Sequence, residues 1–161
     1  MPVEVRIAGD ADREVLARLF YAVEAHYSGE QAPTREAVAR HVGETILTCR
    51  TCEIAIAEMD GRAVGLATFG VLYPAPGLGG HFLMKDLFTV AEARGQGVGR
   101  ALLRFLARLA IERRCVRLDW TAETENPAAL SFYDRLDARR VTEKVYFRFD
   151  GEALAAFANG V

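Results

Sequence analysis

Cysteine is scarce and odd in number. Cys49, Cys52 and Cys115 are too few for a disulfide framework. Cys49 and Cys52 form one CxxC with no second pair behind it, and read as two small residues near a helix end. His26, His41 and His81 are scattered without ligand spacing, so no metal is expected. Long apolar runs are missing as well: the longest helical one, 101–111, is broken by Arg104 and Arg108, and the N-terminus carries no charged-then-apolar leader. The expectation is a cytoplasmic protein with no membrane partner. Nor is there an excess of charge of either sign. Twenty Lys and Arg against twenty-two Asp and Glu leave a net charge of −2, which offers nucleic acid no long-range attraction.

What is present is apolar residue in quantity, 51% of 161 residues, enough for one α/β domain spanning 1–161. Residues 3–7 alternate as a half-buried strand, and Gly9-Asp10 supplies a turn and helix cap. Val15, Leu16, Leu19, Phe20, Val23 and Tyr27 then recur at helical spacing, ending at Ser28-Gly29-Glu30. Thr34 can cap a second helix with Val38, Val42, Thr45 and Ile46 inward, weakened by Gly43. Residues 53–59 and 63–73 read as a hairpin turning at Asp60-Gly61, and the proline- and glycine-rich 74–80 as a loop. Beyond residue 99, Leu102, Leu103, Phe105, Leu106, Leu109, Ala110 and Ile111 form a wide apolar helix face. Residues 115–121 alternate as a strand with Trp120 in the core, Asn126-Pro127 starts a helix, 141–149 closes the sheet, and 151–157 is a helical tail. The sum is a mixed, mostly antiparallel sheet with helices on both faces.

The chain centres on residues 82–99, where an apolar strand delivers Arg94-Gly95-Gln96-Gly97-Val98-Gly99 to a helix start. Glycines allow close backbone approach, and the NH groups opening a helix face an anion. Three phosphate ligands compete. A mononucleotide P-loop needs Gly-Lys-Ser or Gly-Lys-Thr, which is absent; a dinucleotide fold needs its glycines early, in a parallel unit with an acid about twenty residues on. The third pattern, Arg-x-x-Gly-x-Gly after a strand, resembles the acetyl-CoA pyrophosphate loop of the GNAT superfamily of N-acetyltransferases. Arg94, Gly97 and Gly99 match it, and Asn126, Ala129 and the Phe132-Tyr133 pair match its second half. Asp86-Leu87-Phe88, Thr142-Glu143 and the stretch 149–154 look similar to the diamine (spermidine/spermine) N-acetyltransferase group. Three positions depart from that group: Lys85 stands where it has an acid, Val145 where it has a substrate-side acid, and Asp137 where it has glycine.

The resemblance implies a GNAT fold and transfer of acetyl from acetyl-CoA to a primary amine of a small molecule by direct attack, with no metal. The alternatives are a CoA-binding protein without catalysis, or an enzyme acting on a protein amine. Phe88 and Val90, with Thr89 between them, are the implied backbone partners of the pantetheine. Gln96, Gly97, Val98, Gly99 and Arg100 would take the pyrophosphate through their NH groups, with Gly95 in the same loop and Arg94 and Arg100 adding charge. Tyr133 is the implied acid that protonates the leaving thiolate; without the resemblance it reads as a core tyrosine beside Phe132, here counted with the cofactor site. Asn126 is a helix cap and an implied pantetheine partner. Asp86, Glu123 or Glu125 could take the amine's proton. Tyr21, His26 and Tyr27 on the first helix could line the acceptor pocket, with Tyr27, Asp86 and Glu123 the acceptor-binding candidates. The family also implies a homodimer.

Overall fold

The computed structural model describes residues 2–49 and 51–160. The chain forms two compact units, Met1–Thr121 and Ala122–Val161. The first holds a five-stranded sheet of β1 (Glu4–Ile7), β2 (Glu53–Met59), β3 (Arg62–Ala75), β4 (Gly79–Thr89) and β5 (Cys115–Asp119), in that spatial order. Neighbours are antiparallel except for β4 and β5, which run parallel. Helices α1 (Arg13–Ser28) and α2 (Arg35–His41) lie between β1 and β2, and α3 (Val98–Glu112) between β4 and β5.

The β2–β3 turn is set locally. Asp60 and Gly61 both take positive φ, 50° and 72°, the pair of left-handed residues that joins two right-twisted strands in two residues. The strands run further than the sequence suggests. In place of a loop over 74–80, β3 continues through Pro74 to Ala75 and β4 resumes at Gly79, with one 3₁₀ turn at Pro76–Leu78 between. The β3–β4 register shifts between Leu72 and Ala75, so the missing NH of Pro74 falls where the ladder is already irregular.

Leu66 and Phe69, three apart on β3, face opposite sides of the sheet. On the Phe69 side, its ring stacks on Phe82 at 4.9 Å, and Val98, Leu102 and Leu106 of α3 are buried. Arg113, just beyond α3, sets its guanidinium 5.8 Å from the Phe69 ring centroid and bonds both carboxylate oxygens of Glu53. Gly65 lets the start of this helix settle: a Cβ there would lie 2.7 Å from the Phe88 carbonyl oxygen and 2.9 Å from Val98 Cγ1. The other side carries α1, whose Leu16, Leu19 and Val23 are buried and whose His26 ring lies 6.1 Å from Phe88. Each large apolar side chain so buried contributes about 1.5–3 kcal/mol relative to exposure. The stripes are narrower than expected, because Tyr27 is 69% and Ile111 76% exposed.

Thr34 caps α2 through its hydroxyl, which accepts from the Ala37 NH at 3.2 Å. The expected second helix ends early as an α-helix, at His41, and gives way to a π turn over Val42–Ile46 that contains Gly43. β5 stops at Asp119, two residues short of the expected strand, and Trp120 is half-buried. Among the described residues no helix is long and apolar enough to cross a membrane.

The second unit contains α4 (Pro127–Asp134) and α5 (Gly151–Ala158). The expected strand over 141–149 is not there. Alternation signals a strand only where a ladder partner exists, and no described residue of 120–160 belongs to one. Instead Phe149 stacks on Phe157 of α5 at 4.5 Å, while Arg140 forms a two-pronged ion pair with Asp134. Asp137 closes the turn after α4 in the left-handed region, φ 57°.

Candidate functional site

Pairing between β4 and β5 ends at Leu83 opposite Asp119, yet β4 runs on to Thr89. From Met84 onward, no strand among the described residues pairs with the β4 edge away from β3. The Val90 NH donates to the Val64 carbonyl at 2.9 Å, so Val90 and, by the alternation of an antiparallel ladder, Phe88 direct their backbone groups at β3. This corrects the expectation for those two residues. That edge carries the NH and C=O of Leu87 and the NH of Thr89, whose carbonyl already accepts from the Arg94 side chain; the pairing parity of a strand cannot be read from its composition.

A 3₁₀ turn, Ala91–Ala93, leads from β4 into the loop. Gly95 and Gly97 have φ of 77° and 86°, and a Cβ on either would meet nothing within 4 Å. Both glycines are there for backbone conformation rather than for space. The Arg94 Nε donates to the Thr89 carbonyl at 3.2 Å and the Gln96 amide to the Glu92 carbonyl at 2.8 Å, which ties the loop to the strand end. The first bond at the start of α3 runs from the Ala101 NH to the Gly97 carbonyl at 2.9 Å. Val98, Gly99 and Arg100 supply the NH groups of the first turn, which have no acceptor within the helix. Arg94, Gln96 and Arg100 are exposed, and the positive end of α3 adds to their charge. These features suit a diphosphate at the loop with a thin, amide-bearing chain laid back along β4.

Opposite Thr68 and Phe69, β4 contains one residue too many. Thr68 pairs with Asp86 and Phe69 with Met84, leaving Lys85 as a β-bulge. The bulge puts Asp86 and Phe88 on the α1 side, although Phe82 and Met84 face α3. Thr68, 3% exposed, donates its hydroxyl to Asp86 Oδ2 at 2.5 Å and accepts from the Asp86 NH at 3.1 Å. Lys85 Nζ lies 3.2 Å from both Asp86 carboxylate oxygens. The Asp86 side chain remains 27% exposed and that of Lys85 80%. In the sequence, Thr68 is marked only as the single threonine in the apolar run 63–73. Tyr27 and His26 meet edge-to-face at 5.1 Å, so exposed Tyr27 reaches this side through His26 and Phe88. Tyr21 is engaged elsewhere, under the Arg35 guanidinium at 4.0 Å.

The half-buried Cys52 thiol is pushed up by burial first and then by the negative charges of Cys49 and Asp86. Cys49 is held below the usual thiol range by the Thr51 hydroxyl, 3.2 Å from its sulfur. Among the described residues no group of three His, Cys, Asp or Glu could hold a metal. His81, dismissed as scattered, sits in a cluster where β4 and β5 part. Its Nε2 is 3.1 Å from Asp119 Oδ2 and its Nδ1 3.3 Å from Arg117 Nη2, and Arg117 also pairs with Asp119. The Nδ1 contact with Arg117 joins β4 to β5, whereas Nε2, although close to Asp119, is buried without a hydrogen bond to any described residue.

In the second unit, Asn126 Oδ1 accepts from the Ala129 NH at 3.0 Å, capping α4 above Pro127. Glu123 and Glu125 are exposed, and the Glu123 carbonyl accepts from the Asn126 NH at 3.1 Å. Phe132 and Tyr133 are half-buried with ring centroids 5.1 Å apart.

The sequence pattern of the Acetyltransferase (GNAT) family matches residues 19–138. The chain is similar to thialysine N-epsilon-acetyltransferase of Bos taurus, 29% identical over 122 residues, 72% of each chain. Its counterpart in Caenorhabditis elegans is 32% identical over 107 residues, 65% of this chain and 66% of that one. Among solved structures, an integron cassette protein from the mobile metagenome of V. cholerae superimposes with a TM-score of 0.93, at 35% identity over 98% of both chains. The loop, the helix start and the half-paired strand are thus those of a known lineage, and the chain belongs to the GNAT family of acetyltransferases.

Proposed function

We propose that the chain, acting as one catalytic domain, transfers an acetyl group from acetyl-CoA to a primary amine of a small molecule by direct attack. The observation that carries this reading is the left-handed Gly95–Gly97 loop at the end of the unpaired β4 edge. Its NH groups and the exposed Arg94 and Arg100 bind the pyrophosphate, and the Thr89 and Leu87 backbone groups align the pantetheine. The named relatives, which act on thialysine, favour a small amine over a protein one.

The chemistry to be served is aminolysis of a thioester. A nitrogen–carbon bond forms, the carbon–sulfur bond breaks, the amine loses a proton and the sulfur gains one. Tyr133 is the residue we assign to the sulfur's proton, a role open to a phenol with an ordinary pKa near 10. Asn126 assists through its side-chain amide where that is not used as a cap, and Phe132 packs beside Tyr133. Asp86 and Tyr27 are the acceptor-binding candidates of the first unit, and Glu123 that of the second. A homodimer in the cytoplasm completes the proposal.

The test is a panel of small amines mixed with acetyl-CoA, followed by the appearance of free thiol and of acetylated product. Transfer to at least one primary amine is expected. Tight CoA binding with no transfer to any amine would make the chain a CoA-binding protein without catalysis.

A further inference from the structure

We propose that the outer edge of β1 and the arginine-lined groove beside it take up an extended acidic segment of a partner protein, added to the sheet as one more strand. β1 ends the sheet, and no strand among the described residues pairs with its outer side. The Ala8 NH donates to the Ile54 carbonyl at 2.8 Å, and Arg6 and Glu4 stand opposite Ile56 and Glu58. By the alternation of an antiparallel ladder, Ala8, Arg6 and Glu4 aim their backbone groups at β2, and Val5 and Ile7 aim theirs outward. The Ile7 carbonyl accepts from Arg6 Nη1 at 3.5 Å, which leaves the NH and C=O of Val5 and the NH of Ile7 to meet an added strand.

The side chains beside this edge select the strand. The Arg6 side chain bonds Asp12 on the α1 face of the sheet, and the neighbouring Val5, with Val3, turns the other way. There the two valines line a groove with Ala101, Arg104, Phe105 and Arg108 of α3. Val3, Val5, Ala101 and Phe105 are half-buried, whereas both arginines are exposed and, among the described residues, have no hydrogen-bond or ion-pair partner. Like charges one turn apart weaken a helix, and no described acid relieves them. An apolar floor beside two unpaired guanidiniums suits carboxylates on methylene stems, which glutamate supplies. The spacing agrees: four residues of helix rise about 6 Å and two residues of strand about 6.7 Å, so acids at alternate positions of an added strand meet Arg104 and Arg108 in turn. A second copy of this chain fits less well. Its own β1 would turn Val5 rather than an acid to this face, and the pairing would bring the arginines of both copies to one seam.

Fluorescence anisotropy with short labelled peptides tests this on the intact chain. One peptide alternates glutamate with threonine, one alternates lysine with threonine, and the third is the glutamate peptide N-methylated along its backbone. Saturable binding of the first is expected, with little of the other two. Arg104→Gln/Arg108→Gln should weaken that binding about fivefold and flatten its salt dependence. Val5→Pro removes an outward NH while leaving the β1–β2 ladder bonds in place, and should abolish it. Equal binding of the N-methylated peptide would mean that the arginines hold an anion with no strand formed, and equal binding of the lysine peptide that the edge does not select charge. No saturable binding of the glutamate peptide below about millimolar concentration would mean that there is no such site. Each of these overturns the proposal. So does a dimer of the chain alone, seen by sedimentation and dissociated by Val5→Pro, which would put a second copy on this edge. Melting curves confirm that the variants are folded, and because no arm depends on acetyl transfer, failure here leaves the acetyltransferase reading intact.

Discussion

Thr68 Oγ1 donates to Asp86 Oδ2 at 2.5 Å and takes back a bond from the Asp86 NH at 3.1 Å, so a buried hydroxyl on β3 fixes a half-buried carboxylate on β4 from both ends. Thr68→Val keeps the shape and removes both bonds. Because hydrogen bonds to charged groups contribute about 1.5–3 kcal/mol, acceptor KM should rise tenfold or more. Turnover should change less, and Thr68→Ser should restore the wild-type value. An unchanged KM would mean that Asp86 needs no such support.

Tyr133→Phe removes one hydroxyl and little volume. Turnover should fall at least tenfold while acetyl-CoA affinity, measured by calorimetry, stays within about twofold. Wild-type turnover in this variant would take Tyr133 out of the reaction.

Gly97 sits at φ 86° immediately before α3 in open space. Gly97→Val would therefore act through the backbone, where a β-branched residue in the left-handed region costs at least about 1–2 kcal/mol. Relief of that strain turns the NH groups of the loop off their target, and CoA binding should be lost with far-UV circular dichroism unchanged. Retained binding would contradict the assignment of the loop to the pyrophosphate.

Asp12 is 8% exposed and lies in a two-pronged ion pair with Arg6, which also reaches Glu58. Arg6 holds the Asp12 carboxyl down at about 2, below its ordinary 3.8. A depressed carboxylate pKa stabilises the fold above the unfolded value. The contribution is complete above about pH 4 and disappears as pH falls from there towards 2, on the order of 2 kcal/mol. Urea denaturation at pH 6 and pH 2.5 should show the wild type losing more stability than Asp12→Asn over that interval; equal losses would place the acid sensitivity elsewhere.

Asp137 takes φ 57° in a position that suits glycine. Asp137→Gly should raise the urea midpoint, with a gain of a few tenths to about 1 kcal/mol after the greater freedom of the unfolded glycine is subtracted. A lower midpoint would show that the aspartate side chain supports the turn by other contacts.

Much of this architecture is legible in the sequence because its determinants are local. The Asp60-Gly61 turn, the Thr34 and Asn126 caps, the glycine loop and the mixed sheet each follow from a few adjacent residues. What escaped depends on partners remote in the chain. The alternation over 141–149 has no ladder to join, and the parity that turns Thr89 and Leu87 rather than Phe88 and Val90 to the unpaired edge is set by β3. The Thr68–Asp86 clamp joins residues eighteen apart through a register that only the extra residue at Lys85 creates. His81 reads as a stray histidine until β5 brings Arg117 and Asp119 against it.

The bulge at Lys85 also bears on how a protein of this kind can change. Every other residue of β4 from Phe82 to Thr89 stands opposite a partner in β3 and is constrained by it; Lys85 is supernumerary to that ladder, and its side chain is 80% exposed. Neither packing nor pairing dictates its identity. A substitution there can therefore change the charge beside Asp86 while every ladder pair of β4 with β3 stays in place.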